Sequence, residues 1–115
     1  MSKNMRQESD FLGEMQIPRD AYWGINTARA IKNFHITGHK LGEEHPELIA
    51  AFAYIKKACA MANADLTNLD PKKADAICKA CDELIEGKLL NEFQIDVIQG
   101  GAGTSTNMAM NEIIA

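Results

Sequence analysis

The chain has 115 residues, of which 46% are hydrophobic and 24% are charged, and its formal net charge is −4. This composition is typical of one globular unit, and the lack of a basic stripe argues against a nucleic-acid partner. Because the sequence has neither an apolar run of membrane-spanning length nor an apolar segment near its start that could direct secretion, we expect a cytoplasmic protein with no membrane partner.

The first elements are a pair of strands and a short helix. Residues 6–18 contain two short runs around Gly13, which predict a small β-hairpin or an extended arm. Residues 27–34 then predict a short helix, with Thr27 as its amino-terminal cap.

Two longer helices are predicted from Pro46 onward. In the first, apolar residues recur at alternating steps of four and three and predict one buried face: Leu48, Phe52, Ile55, Cys59, Ala62 and Leu66. The second helix is predicted to begin with Asp70 as its cap and Pro71 in its first turn, and to end at Gly87. Its predicted buried residues are Ala74, Ile77, Cys78, Cys81, Leu84 and Ile85.

Cysteine and histidine patterns give no metal site. The odd number of cysteines indicates free thiols, and the C-x-x-C spacing of Cys78 and Cys81 lies inside a helical pattern without a second pair to complete a zinc site. We interpret the cysteines as small buried core thiols and expect no metal and no cofactor. The histidines are interpreted as surface or packing residues, because no further ligand accompanies them: His35, His39 and His45.

The last part of the chain changes pattern twice. Residues 89–98 alternate apolar and polar positions, as in an extended segment. A third helix is predicted to begin near Ser105 and to reach Ala115 without a glycine or proline to end it. We therefore expect the sequence to be truncated within this helix.

A glycine cluster lies directly before the third helix, where residues 100–103 read Gly-Gly-Ala-Gly. Glycine lets the backbone approach a ligand closely, and the first amides of a helix carry a partial positive charge. The pattern predicts an anion site formed by Ala102, Gly103, Thr104 and Ser105. The alternative is a plain turn whose hydroxyl groups only cap the helix. A dinucleotide fingerprint and a Walker loop fit less well, because the required third glycine and lysine are missing.

The chain resembles a known family over nearly its whole length. Residues 99–115, QGGAGTSTNMAMNEIIA, and the earlier residues 6–14, 17–24 and 27–38 are similar to the amino-terminal domain of the aspartase/fumarase superfamily. Class II fumarases usually have Gly-Ser-Gly-Thr where this chain has Gly-Ala-Gly-Thr, which favours the aspartase branch. Ala109 departs from the family, which more often has asparagine there.

The resemblance implies a fold. Residues 1–115 would form a mainly α-helical amino-terminal domain with a small β-hairpin or extended arm, and the central helical-bundle and carboxy-terminal domains would be absent. It also implies an irregular segment, not a strand, in front of the glycine turn.

The resemblance further implies an activity and its residues. The aspartase branch eliminates ammonia from L-aspartate to give fumarate, and its members are homotetramers. Thr104 matches the threonine that contacts the substrate carboxylate, and Arg29 is a weaker candidate for such a contact. The catalytic base is expected beyond Ala115, so no catalytic residue is expected within this chain.

Three functions remain open from the sequence. The chain is a piece of an ammonia-lyase that would be inactive alone, a piece of a class II fumarase-like hydratase, or a free-standing helical module that binds a small anion at the glycine turn.

Overall fold

The chain begins with a β-hairpin in the computed structural model, which describes residues 3–115. Strand β1 spans Met5–Asp10 and strand β2 spans Gly13–Pro18. They pair antiparallel with Arg6 opposite Ile17, which confirms the predicted hairpin. Met1 and Ser2, which belong to the predicted 1–115 domain, lie outside the described residues.

The rest of the described chain is mainly helical, as predicted. The helices are α1 Ile25–Asn33, α2 Leu41–Glu44, α3 Pro46–Asp65, α4 Pro71–Ile85 and α5 Thr104–Ile114, with a 3-10 turn at Leu90–Glu92. Helix α3 packs mainly against α4, and α1 packs against α5. None of the helices in residues 3–115 is both long and apolar enough to cross a membrane.

Helix α1 begins two residues earlier than predicted, and Thr27 is not its cap. Gly24 occupies the cap position and makes no side-chain bond to the helix. Instead, the first amides of α1 donate to carboxylates from distant parts of the chain: the Ile25 amide donates to Glu8, and the Thr27 amide donates to Glu112. The prediction of Thr27 as the cap was wrong because the carboxylates that accept from these amides are distant in sequence and a local pattern does not include them.

The predicted buried face of α3 is wrong. Leu48, Ile55 and Leu66 are exposed, with Ile55 58% accessible, and the residues that α3 buries are Ile49, Ala53 and Ala60. The alanines of α3 are distributed around the whole helix, so more than one of its faces has apolar residues at helical spacing. Ile49 and Ala53 join one core cluster with residues of α4, so the position of α4 determines which face of α3 is buried.

Helix α4 follows its prediction closely. The Asp70 carboxylate accepts a hydrogen bond from the Lys72 amide at 2.9 Å, as a cap does, and Gly87 follows the helix end in a left-handed conformation. Three of its six predicted core residues are fully buried, and Ile77, Cys78 and Ile85 are partly buried. The prediction of buried thiols is wrong for Cys59, which is exposed and lines an open cavity with Ile77 of α4 and Ile114 of α5.

The segment between α4 and α5 is irregular, so the extended alternative is wrong. Phe93 and Ile95 pack into the main core. The β pairing of this segment within the described residues is a single isolated bridge between Asp96 and Lys40. Ala109 on α5 is fully buried in the same core, so this departure from the family pattern is a packed position.

Candidate anion site at the glycine turn

The glycine turn has an unusual backbone. Gly101, Ala102 and Gly103 all have positive φ values, of +83°, +54° and +86°. Glycine adopts this region freely, whereas alanine there costs about 1–2 kcal/mol. Strained backbone of this kind is concentrated at functional sites. Gly103 is the residue at the cap position of α5 and makes no side-chain bond to the helix.

Two hydroxyl groups after the turn are used within the chain. The Thr104 hydroxyl donates to the carbonyl oxygen of Gly101 at 2.5 Å. The amide and hydroxyl of Thr106 both donate to the side-chain oxygen of Gln99, each at 3.0 Å. Gln99 therefore performs the capping that the sequence assigned to the hydroxyl residues.

Ser105 differs from its neighbours. Among the described residues, neither its amide nor its hydroxyl has a hydrogen-bond partner in the fold. A free amide in the first turn of a helix, beside a free hydroxyl, can donate two hydrogen bonds to one carboxylate.

A groove of about 150 Å³ lies between α1 and α5 and brings several predicted residues together. Its lining includes Thr104 and Ser105 from α5 and Arg29 from α1. Ala102 and Gly103 are not among the residues that line the groove; they belong to the turn directly before α5. The remaining lining residues are Asn26, Ala30, Asn33, Phe34 and Met108.

Arg29 makes its main contacts within the chain. Its guanidinium donates to both oxygens of Asp10, at 2.8 and 2.6 Å, and to the carbonyl oxygen of Gly13. The hydrogen bond from Arg29 lowers the pKa of Asp10, and the same bond raises the pKa of Arg29. This paired fork ties α1 to the hairpin through Nε and Nη2 and neutralises the charge of the guanidinium, which weakens Arg29 as a partner for a second carboxylate.

The helix starts differ in charge. The first three amides of α1 donate to the carboxylates of Glu8 and Glu112. In contrast, α5 has no acidic residue in its first turn, and its cap comes from the neutral amide of Gln99. Because carboxylates compensate the partial positive charge of a helix start, α1 is compensated and α5 is not.

Sequence reasoning missed Asp96, the buried anchor of the segment before the turn. Its carboxylate accepts hydrogen bonds from the amides of Ile36, Thr37, Gly38 and Ile98 and from the Thr37 hydroxyl. Burial alone would raise the pKa of Asp96, but these hydrogen bonds hold it well below its usual range. The local bond to Ile98 is an Asx-turn signal that the sequence could have provided.

The histidines are exposed, as predicted. A ring nitrogen of His35 contacts the carbonyl oxygen of Lys32. Ring nitrogens of His39 and His45 contact the carboxylates of Glu44 and Glu47, respectively. Within residues 3–115, no group of three or more histidine, cysteine or acidic side chains is arranged to hold a metal ion.

Comparisons with known proteins identify the family. Residues 13–115 match the family described as Lyase. The chain is 51% identical over its whole length to an aspartate ammonia-lyase from a Bacillus species, and 50% identical over its whole length to a class II fumarate hydratase from Halobacterium salinarum. It covers 24% of each of these two proteins.

Solved structures agree. The fold superposes on a fumarate lyase:delta crystallin from Brucella melitensis with a TM-score of 0.94 and 50% sequence identity, covering 96% of this chain and 26% of that one. The chain therefore belongs to the lyase family, has the fold of its amino-terminal domain, and spans about a quarter of the length of the curated relatives it matches.

Proposed function

We propose that this chain contributes a substrate-carboxylate-binding segment to a lyase that reversibly eliminates ammonia from L-aspartate to give fumarate. The observation that carries this proposal is the amide and hydroxyl of Ser105, which have no hydrogen-bond partner within residues 3–115 and lie beside Thr104 in a groove at a helix start without a compensating carboxylate. A dicarboxylate supplies the negative charge that such a site favours. The cytoplasmic location and the homotetramer expected for the complete protein are part of the same proposal.

The chemistry explains why donors are needed at this position. In the elimination, a base removes a proton from the carbon next to a carboxylate, and negative charge spreads into that carboxylate. Donors fixed in advance around the developing charge lower the barrier, often by more than any other single effect. Ser105 can donate without rearrangement, whereas Thr104 must exchange its bond to Gly101 for one to the substrate. No catalytic residue is assigned to this chain; the base would come from another part of the complete protein.

A hydratase is the second candidate, because the Halobacterium fumarate hydratase and the Bacillus ammonia-lyase are almost equally similar to this chain. Ala102 favours the ammonia-lyase, because class II fumarases usually have serine at the corresponding position of the glycine turn. A free-standing anion-binding module is the third candidate and requires only the groove.

Separate assays with L-aspartate and L-malate test the proposal on the complete protein that carries this segment. We expect ammonia and fumarate from L-aspartate, and amination of fumarate in the reverse direction. The matched variant Ala102→Ser tests whether the turn residue contributes to the choice between substrates. Fast dehydration of L-malate without ammonia release from L-aspartate would establish the hydratase instead, and absence of both activities would favour the module.

A further inference from the structure

Gln99 connects the two sides of the glycine turn. Its side-chain nitrogen donates to the carbonyl oxygen of Asp96 before the turn, at 3.0 Å. Its side-chain oxygen accepts from the amide and hydroxyl of Thr106 after the turn. The orientation of the carboxamide is fixed, because the Thr106 amide can only donate and the Asp96 carbonyl can only accept.

Both ends of this connection are buried. Asp96 and Thr106 are each 5% exposed, and the Asp96 carboxylate is held by donors from residues 36–38 and by Ile98. Gln99 therefore holds the first turn of α5, where Thr104 and Ser105 line the groove, in a fixed position relative to the buried Asp96. The intervening turn has three residues with positive φ and is closed locally by the amide and hydroxyl of Thr104, which both donate to the Gly101 carbonyl oxygen; Gln99 connects this turn to the buried segment before it.

The neutrality of Gln99 matters as much as its geometry. A glutamate could accept the same two bonds from Thr106, and carboxylates do so at the start of α1. At α5, however, a carboxylate would place a like charge close to the carboxylate of a bound substrate, which weakens binding.

We infer that Gln99 is a positioning residue for the proposed carboxylate site: it holds the glycine turn in its binding shape with a neutral group and so reserves the positive start of α5 for the substrate. This inference rests on the proposed function. It adds a residue that touches neither the groove nor the substrate.

Kinetics of the complete protein that carries this segment test the inference with two variants. For Gln99→Glu, we expect the KM for L-aspartate to rise on the order of tenfold, the size of effect that two like charges several ångströms apart produce in a partly solvated site. This rise should shrink as salt is added, because salt screens the repulsion. For Gln99→Met, which cannot bridge Asp96 and Thr106, we expect a several-fold loss of kcat/KM and a smaller rise in KM than for Gln99→Glu.

The matched control is Gln7→Glu, which makes the same chemical change on the exposed hairpin, where Gln7 accepts from Gln16. It should leave KM and its salt dependence unchanged. Thermal melting of each variant reports the folded fraction, so rates are compared per folded protein. A KM for Gln99→Glu no higher than that for Gln99→Met, or wild-type kcat/KM in Gln99→Met, overturns the inference. A wild-type protein without activity on L-aspartate instead counts against the proposed function.

Discussion

The carboxylate of Glu112, near the end of α5, accepts hydrogen bonds from both the amide and the hydroxyl of Thr27, at 2.9 and 2.6 Å. It also accepts from the Asn26 amide. A side chain at Gly24 would collide with this carboxylate, so glycine there allows its close approach. Since the candidate groove lies between α1 and α5, the contact between Glu112 and Thr27 holds together the two helices that form it.

We expect Glu112→Gln to lower the free energy of unfolding by about 2 kcal/mol, because three donors at the start of α1 lose a charged acceptor. Chemical denaturation measures the change. Glu14→Gln makes the same substitution at an exposed hairpin position and should change stability by less than about 0.5 kcal/mol. Equal effects of the two variants would show that the Glu112 contacts add no stability.

The contribution of Asp96 to the free energy of unfolding should depend on pH. Its pKa is lower in the folded chain than the ordinary value of 3.8, so the native state releases this proton more readily than the unfolded chain does. The contribution is therefore fully present above about pH 5 and is lost as pH falls below the ordinary value toward the folded-state value. Asp96→Asn should cost about 3 kcal/mol at neutral pH, and its deficit relative to wild type should shrink in acid. Asp75→Asn, on the exposed side of α4, is the control.

The parts of the fold that the sequence predicts correctly depend on local signals. The hairpin around Gly13 and the helix that begins at Asp70 and ends near Gly87 both need only a few neighbouring residues. The buried face of α3 was mispredicted because apolar periodicity on an alanine-rich helix does not define a single face. Which face is buried depends on the neighbouring helices.

The same distinction applies to the candidate site. Thr104, Ser105 and the glycine turn were predicted from adjacent residues, and the structure places both side chains in one groove. Glu112 could not be recognised, since its partner Thr27 is 85 positions away. Gln99 is close in sequence to Thr106, but a glutamine before a glycine run has no established capping signature. The roles of residues such as Glu112 and Gln99 depend on tertiary contacts, so they are recognised only from the three-dimensional structure.

The two hydroxyl residues in the groove should separate catalysis from stability. In the complete protein, Thr104→Ala should reduce turnover about a hundred- to a thousandfold, the usual cost of losing one donor to developing charge. Thr104→Ser keeps the hydroxyl and should retain most activity. Ser105→Ala should also reduce turnover, because it removes the free hydroxyl of the proposed site, and it should leave the melting temperature unchanged because Ser105 makes no cap bond. If Thr104→Ala lowers only the melting temperature, its bond to Gly101 is structural.

The three thiols should react in order of their exposure. Cys59 is exposed, Cys78 is partly buried and Cys81 is fully buried. Burial also raises the pKa of the Cys81 thiol, which lowers its thiolate fraction. A colorimetric thiol reagent should therefore label one site quickly under native conditions, and Cys59→Ser should remove that fast phase. Equal labelling rates at all three sites would contradict the packing of α3 against α4.

The 115-residue chain alone should be catalytically inert. Among the residues that line the groove, Arg29 is the titratable one, and its charge is paired with Asp10, so the groove supplies no proton acceptor. Incubation with concentrated L-aspartate should release neither fumarate nor ammonia. Activity that disappears in Thr104→Ala would show that the chain contains its own base.

The same chain should self-associate through the exposed face of α3. Ile55 on α3 and Leu66 directly after its end are 58% and 68% accessible. An apolar cavity of about 360 Å³ is lined in part by Cys59 of the same helix, with Ile77 and Ile114. Exposed apolar surface of this kind favours association. Light scattering should therefore detect species larger than a monomer, and Ile55→Lys with Leu66→Lys should reduce them. Ile36→Lys removes a similarly exposed apolar side chain away from α3 and should have no effect; a monomer at all concentrations would mean that this face is stable in water.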